Sequence, residues 1–153
     1  MKLGFVLPGF SASEADWCIP VFLNLVRALA RDHEVHVFAL RYPYERRTYT
    51  VYGATVHALG GATARGLRRV PLLVRAVRAV VAEARRRRFD VLHGIWADEP
   101  GLVAVAAGRM LRTPAVVTLG AVNSSRCRTS VTATSSAARR ARWSGSAWAT
   151  RTG

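Results

Sequence analysis

Four residues that can bind polar ligands lie in or directly after one strand-like run of this chain. His93 lies inside the run 90–96, Trp96 closes it, and Asp98 and Glu99 follow. An imidazole that titrates near neutrality can donate or accept a hydrogen bond, and so can orient a hydroxyl or a phosphate. Carboxylates accept hydrogen bonds from hydroxyls, and an indole offers a flat apolar face. Together these groups can contact a ligand that carries hydroxyl or phosphate groups.

Each of these residues also has a structural interpretation. His93 would be a partly buried, hydrogen-bonded histidine, and Trp96 would pack at the edge of the sheet. Asp98 and Glu99 would cap the helix that follows them. Gly9 lies in the loop after the first strand, where it would either let its amide approach a ligand or permit a tight turn. Both interpretations are open at the level of the sequence.

Alternating strands and helices position these residues. The apolar and helical periodicities predict five strands and three helices in the order β-α-β-β-α-β-α-β. The predicted segments are Lys2–Leu7, Ile19–Arg31, Glu34–Leu40, Val56–Leu59, Arg68–Arg88, Asp90–Trp96, Glu99–Leu111 and Val116–Leu119. The polar and aromatic stretch 41–50 is predicted to be a loop.

This alternation is typical of an α/β fold, with a mostly parallel sheet covered by helices on both faces. Ligands bind such sheets at the carboxyl ends of the strands. Residues 8–13, residues 93–101 and the region after Gly120 are therefore predicted to lie along one edge of the sheet.

The composition is strongly basic. The chain carries 23 Lys and Arg against 9 Asp and Glu, which gives a formal net charge of +14. We see no leader-like segment and no apolar run of the roughly 20 residues that a membrane span needs. The expected location is cytoplasmic, with a peripheral position at the inner face of the membrane as a further option. His33, His36 and His57 are interpreted as structural, because no spacing supports a metal site.

The predicted helix Arg68–Arg88 is both basic and amphipathic. Its apolar stripe is predicted to consist of Val70, Leu73, Val74, Val77, Val80 and Val81. The helix would either pack on the sheet with a solvated charged face, or dock on anionic lipid. No nucleic-acid recognition module accompanies the arginines, so no specific nucleic-acid partner is expected.

The composition changes abruptly at Gly120. The remaining 33 residues are rich in Ser, Thr, Ala and Arg, and contain no Asp, Glu, Leu, Ile or Phe. Such a stretch has too little apolar surface to offset the entropy of ordering it. We therefore expect a folded domain over residues 1–120 and a disordered tail over residues 121–153.

Three segments together resemble the N-terminal half of retaining glycosyltransferases of family 4, which have the GT-B fold. Leu3–Phe10 (LGFVLPGF) is similar to the family's first strand and loop, and Val21–Leu40 to its next helix and strand. Phe89–Gly120 is similar to the block that begins D-V-(V/L)-H-x-H, with Ile95 in place of the second histidine. The resemblance implies a Rossmann-like, three-layer domain.

The resemblance also implies a glycosyltransferase of the hexosyltransferase type. In that family one Rossmann-like domain mainly binds the sugar acceptor, and a second binds the nucleotide-sugar donor. Gly9, His93, Trp96, Asp98 and Glu99 would accordingly contact the acceptor or the sugar, and none of them would be catalytic. The nucleotide-sugar would be a co-substrate, with no other cofactor and no metal.

The donor-side E-x7-E motif of the family has no counterpart after Gly120, because the tail contains no Glu. We therefore expect a truncated fragment that lacks the C-terminal donor domain and is inactive alone. One base lost near codon 121 would explain the tail as out of frame. With chosen synonymous codons for residues 120–132, the shifted frame reads ELVALPDIGY, which continues the family's loop. The alternative is a non-catalytic α/β binding module, or a half-enzyme that needs a partner chain.

Overall fold

The computed structural model describes residues 1–61 and 66–119. Within them the elements are β1 (Lys2–Gly9), α1 (Pro20–Leu29), β2 (Glu34–Tyr42), β3 (Arg46–Val51), β4 (Ala54–Leu59), α2 (Arg69–Ala84), β5 (Val91–Ile95), α3 (Glu99–Leu111) and β6 (Ala115–Thr118). A 3₁₀ turn, Gly66–Arg68, leads into α2. The tail predicted over 121–153, and Gly120 before it, lie outside the described residues.

The strands form one sheet in the order β3-β4-β2-β1-β5-β6. Neighbouring strands are parallel except for β3 and β4. In the central strand β1, Phe5 lies opposite Val37 of β2 on one side and His93 of β5 on the other. This arrangement confirms the predicted α/β class with a mostly parallel sheet.

The helices cover both faces of the sheet because successive strand residues face opposite layers. Phe5 and Leu7 pack in one core with Leu23 and Val26 of α1. Val6, between them, packs in a second core with residues of α2 and α3. The domain therefore has three layers, as the sequence predicts. No helix in the described part of the chain is long and apolar enough to cross a membrane.

Strand β3 corrects the prediction of a loop over residues 41–50. It forms a hairpin with β4 in which Val51 lies opposite Ala54. The connecting residues Tyr52 and Gly53 have φ of 46° and 83°, and two successive positive values are what a tight two-residue hairpin requires. Most side chains of β3 are exposed, because it is an edge strand. No apolar alternation therefore marked it in the sequence.

Helix α2 uses a different face from the predicted one. Its buried residues are Leu72, Ala76, Val80 and Ala84. Of the predicted stripe only Val80 is buried, whereas Val70 and Val74 are 55% and 51% exposed. The small alanines allow the helix to approach the sheet and α3 closely, which sets its rotation. The helix also ends at Ala84, so the run Arg85–Arg88 follows it instead of forming its last turn.

A pair of glycines holds the start of α3 against β5. A Cβ atom on Gly94 would lie 2.7 Å from Gly101 Cα and 2.8 Å from the Pro100 carbonyl oxygen. Only glycine permits so close an approach of two backbones. The first turn of α3 is thereby fixed beside the carboxyl end of β5.

Candidate functional site

Four of the predicted site residues lie along the carboxyl edge of the sheet, here called the rim. Gly9 ends β1, Trp96 follows β5, and Asp98 and Glu99 stand at the start of α3. Since β1 and β5 are neighbouring parallel strands, the fold brings these residues to one side of the domain.

His93 lies deeper in the sheet than the sequence predicts. It is the middle residue of β5 and is paired with Phe5, four residues before Gly9. At about 3.3 Å of rise per residue, the two positions are about 13 Å apart along the strands. His93 and Gly9 therefore lie on neighbouring strands but at different depths in the sheet.

The His93 ring is held by two neighbours. Its Nε2 lies 2.7 Å from the hydroxyl of Thr118 at the end of β6, and its ring packs against Phe5 with centroids 5.4 Å apart. Partial burial lowers the pKa of His93 below its ordinary value of 6.5. The imidazole is accordingly neutral at pH 7, and Nδ1 has no hydrogen-bond partner within residues 1–61 and 66–119. Such a ring can donate or accept one further hydrogen bond.

Gly9 lies where β1 and β2 approach each other closely. A Cβ atom there would lie 3.1 Å from Tyr42 Cβ, and the following amide, of Phe10, donates to the Tyr42 carbonyl at 3.0 Å. The close approach of the two strands favours a small residue at this position. Contact between its amide and a ligand remains a prediction.

The loop after β1 is fixed by polar contacts that the sequence analysis missed. Asp16 Oδ2 accepts hydrogen bonds from the Ala12 amide and the Tyr42 hydroxyl, both at 2.7 Å. The Tyr49 hydroxyl donates to the Ser11 carbonyl at 2.8 Å. The Ser11 hydroxyl itself is buried and has no partner in the described parts of the chain. No local pattern links Asp16 to a tyrosine 26 residues away, so only the fold shows this arrangement.

Glu99 is held in an ion pair. Its carboxylate accepts from Arg41 Nη2 at 2.7 Å and from Arg41 Nε at 3.1 Å, and Arg69 Nε lies 3.3 Å away. Arg41 comes from the end of β2, which the sequence analysis placed in a loop. Glu99 therefore ties the start of α3 to β2, and its charge is balanced within the domain.

Asp98 occupies the N-cap position of α3, but its side chain makes no capping hydrogen bond. Partial burial and the nearby charge of Glu99 raise the pKa of Asp98 above its ordinary value. The structural interpretation of Asp98 as a helix cap is not supported. Its carboxylate stands at the rim and can accept hydrogen bonds from a ligand.

Trp96 has a packing role at the rim. Its ring meets Phe22 of α1 edge-on, with centroids 5.9 Å apart, and the residue has a positive φ of 73°. Its amide donates to the Thr118 carbonyl, and its carbonyl accepts from the Gly101 amide, both at 3.0 Å. These contacts fix the turn between β5 and α3. The ring is half-buried, so part of it is accessible to a ligand.

A second cluster lies at the amino end of the sheet, away from the rim. His36, His57 and Glu83 have potential ligand atoms within 4.8 Å of one another. His36 Nδ1 lies 3.1 Å from His57 Nε2, and burial, followed by the charge of His36, lowers the pKa of His57 to about 4. The buried ammonium of Lys2 donates to Glu83 at 2.9 Å. Because Lys2 already supplies the positive charge, we interpret the cluster as a structural network.

Comparison with protein-family models finds a match to Glycosyltransferase Family 4 over residues 21–152. The matched region begins at the second residue of α1, includes every later element up to β6, and continues past Gly120. No curated protein matches the chain.

Proposed function

We propose, from the premise that this chain belongs to glycosyltransferase family 4, that residues 1–120 form the acceptor side of a sugar-transfer site. The enzyme would transfer a hexose from a nucleotide-sugar to an acceptor hydroxyl, with retention of configuration. The observation that carries this proposal is the neutral imidazole of His93 on β5, the strand that leads to the rim. Its ring is held by a hydrogen bond with the hydroxyl of Thr118.

The contacts of each residue suggest its role. His93 Nδ1 would bind an acceptor hydroxyl, while Thr118 keeps the ring in place. Asp98 would accept a hydrogen bond from a second hydroxyl. Glu99, committed to Arg41 at 2.7 Å, would act as a positioning residue that holds Asp98 at the rim. Trp96 would limit the site on the α1 side.

Positioning would be this domain's main contribution to catalysis. Holding an acceptor hydroxyl close to the reacting carbon lowers the entropic cost of the reaction. The charge that develops on the diphosphate leaving group would be stabilised by groups of the donor domain. No residue described above is assigned a catalytic role, and no metal is required by the proposal.

The donor domain is proposed to be encoded in a shifted reading frame beyond codon 120. The nucleotide sequence across codons 118–125 tests this directly. We expect one base to be missing from a GC-rich run, with an open second domain and an E-x7-E motif in the restored frame. A shifted frame closed by early stop codons would contradict the frameshift.

The purified 153-residue chain is expected to show no transfer from labelled nucleotide-sugars to any of a panel of glycosides. The reason is that acceptor contacts alone do not stabilise the leaving group. Product formation and donor hydrolysis would both be followed by chromatography of the label. Turnover above the buffer blank, in proportion to the concentration of the chain, would contradict the assignment of an acceptor half-site.

A further inference from the structure

Strand β6 ends the sheet with an open edge. It pairs with β5 on one side, and no strand of the described residues lies on its other side. The carbonyls of Pro114 and Thr118 point to β5, where they accept backbone amides of that strand and of the residue after it at 2.9 and 3.0 Å. Backbone groups of successive strand residues point to opposite sides, so the amides and carbonyls of Ala115 and Val117 point to the open edge.

The open edge carries no charge. Residues 113–119 contain no Lys, Arg, Asp or Glu, although the chain has a formal net charge of +14. The strand at the other edge, β3, begins with the exposed side chains of Arg46 and Arg47, and charges of this kind prevent an edge strand from pairing with another chain. Strand β6 lacks this protection, and Val116 and Leu119 are 50% and 82% exposed there. Two copies of so basic a chain can approach each other along this edge without opposing like charges.

Apolar groups border the open edge on both faces of the sheet. A Cβ atom on Gly101 would lie 3.0 Å from Val117 Cγ1, so Val117 faces α3. Val105, one turn after Gly101, lies on the same flank of α3 and is 38% exposed. Val116 faces the opposite layer and is in register with His93. Pairing at this edge would therefore bury apolar surface above and below the strand as well as its backbone groups.

We propose that two copies of this chain associate through their β6 strands, which pair antiparallel about a twofold axis. Ala115 of each copy would exchange backbone hydrogen bonds with Val117 of the other copy. The two Val116 residues would face each other across the axis as a non-hydrogen-bonded pair, in which the Cα atoms are about 4.5 Å apart. Pro114 permits this pairing, because the side of its backbone that lacks an N–H faces β5. The same patch on both copies forms a closed, self-complementary interface.

The proposed pairing also brings the two α3 helices together. Each α3 contacts both β5 and β6 of its own sheet. At a strand spacing of about 4.8 Å, the two helices would lie about 10 Å apart, which is the distance between packed helices. Antiparallel strands end in opposite directions, so the two rims would lie at opposite edges of one continuous sheet and both would stay open. The proposal does not depend on the sugar-transfer assignment.

Sedimentation velocity of the full chain over a wide range of concentrations tests the proposal. The mass is expected to rise with concentration from the 16.7 kDa of one chain to twice that value. Val116→Lys places two ammonium groups opposite each other at the axis, and should raise the dimer Kd at least about thirtyfold. Val116→Thr keeps the branched shape but removes an apolar methyl from each copy, and should raise the Kd about tenfold.

Thr50→Lys is the matched control, because it adds the same charge at an exposed position of β3, the other edge strand. It should change the Kd less than about threefold. Circular dichroism would confirm that each variant is folded. Hydrogen exchange of the Ala115 and Val117 amides should slow as the concentration of the chain rises.

Three results would overturn the proposal. One is a chain that stays monomeric at every concentration. Another is a dimer that Val116→Lys and Thr50→Lys weaken equally. The third is a monomer in which the Ala115 and Val117 amides are protected at every concentration, since residues 121–153 of the same chain would then occupy the edge.

Discussion

Replacing Glu83 with glutamine is expected to lower the free energy of unfolding by about 3 kcal/mol at pH 7. Lys2 is 1% exposed, and Glu83 accepts its hydrogen bond at 2.9 Å. Removing the carboxylate leaves a buried ammonium that Glu34, at 3.3 Å and 40% exposed, balances only in part. Urea unfolding of the full chain, followed by circular dichroism, measures the loss.

Glu34→Gln is the matched control, because it removes the more exposed carboxylate near the same ammonium. We expect it to cost less than about 1 kcal/mol. Although burial opposes ionisation, the hydrogen bond and charge of Lys2 lower the pKa of Glu83 below 4.5. The stability that Glu83 supplies is present above pH 4.5 and is lost as the pH falls through its lowered pKa. The difference in unfolding free energy between wild type and Glu83→Gln should therefore narrow as the pH falls through this lowered pKa. A Glu83→Gln variant as stable as Glu34→Gln at pH 7 would refute this account of the network.

Replacing Gly94 with alanine is expected to cost about 3 kcal/mol of stability and to displace the start of α3. The new methyl group would meet Gly101 Cα at 2.7 Å and the Pro100 carbonyl at 2.8 Å. Both contacts are backbone atoms, so relief requires movement of the helix. That movement would also separate Glu99 from Arg41.

Gly4→Ala is the comparison variant for Gly94→Ala. Its methyl group would lie 2.6 Å from Leu92 Cδ2 and 3.1 Å from Phe89 Cδ1, which are both side-chain atoms. Small shifts of these side chains, without movement of a helix, would relieve the contacts, so we expect a cost of about 1 kcal/mol. Thermal unfolding compares the two substitutions, and amide chemical shifts of residues 96–101 report the displacement. Equal costs, with unchanged shifts in Gly94→Ala, would show that α3 does not depend on this contact.

The layered α/β fold could be predicted from the sequence because its central strands are continuous apolar runs. Residues 3–7 and 35–40 are buried from both faces, and such strands are recognised by composition alone. Strand β3 could not be predicted in this way, since its pairing with β4 depends on the hairpin turn at Tyr52–Gly53. The prediction of which face of α2 is buried was also wrong. Its valines suggest one stripe, whereas contact with the sheet and α3 selects the row that contains Ala76 and Val80.

The positions of the candidate residues in the fold could be predicted better than their contacts. Gly9 and Asp98 could be predicted to lie at the rim because each follows a predicted strand closely, and the carboxyl ends of parallel strands lie on one edge of the sheet. The partners of these residues come from distant parts of the chain. Arg41 reaches Glu99 across 58 positions, and Thr118 reaches His93 across 25. Such pairings follow from the order of strands in the sheet, which single-sequence periodicity does not specify.

Titration of the isotopically labelled full chain with two ligand classes tests the central claim, that residues 1–120 hold the acceptor side of the site. One class is a panel of monosaccharide glycosides, and the other is a set of nucleotide diphosphate sugars. We predict that glycosides shift the His93 imidazole signals and the amides of residues 94–99, and that Thr118→Val weakens this binding about tenfold, consistent with the loss of a single positioning hydrogen bond. Nucleotide-sugars should leave the same signals unchanged. Saturable binding of a nucleotide-sugar at the rim, with no response to any glycoside, would contradict the account.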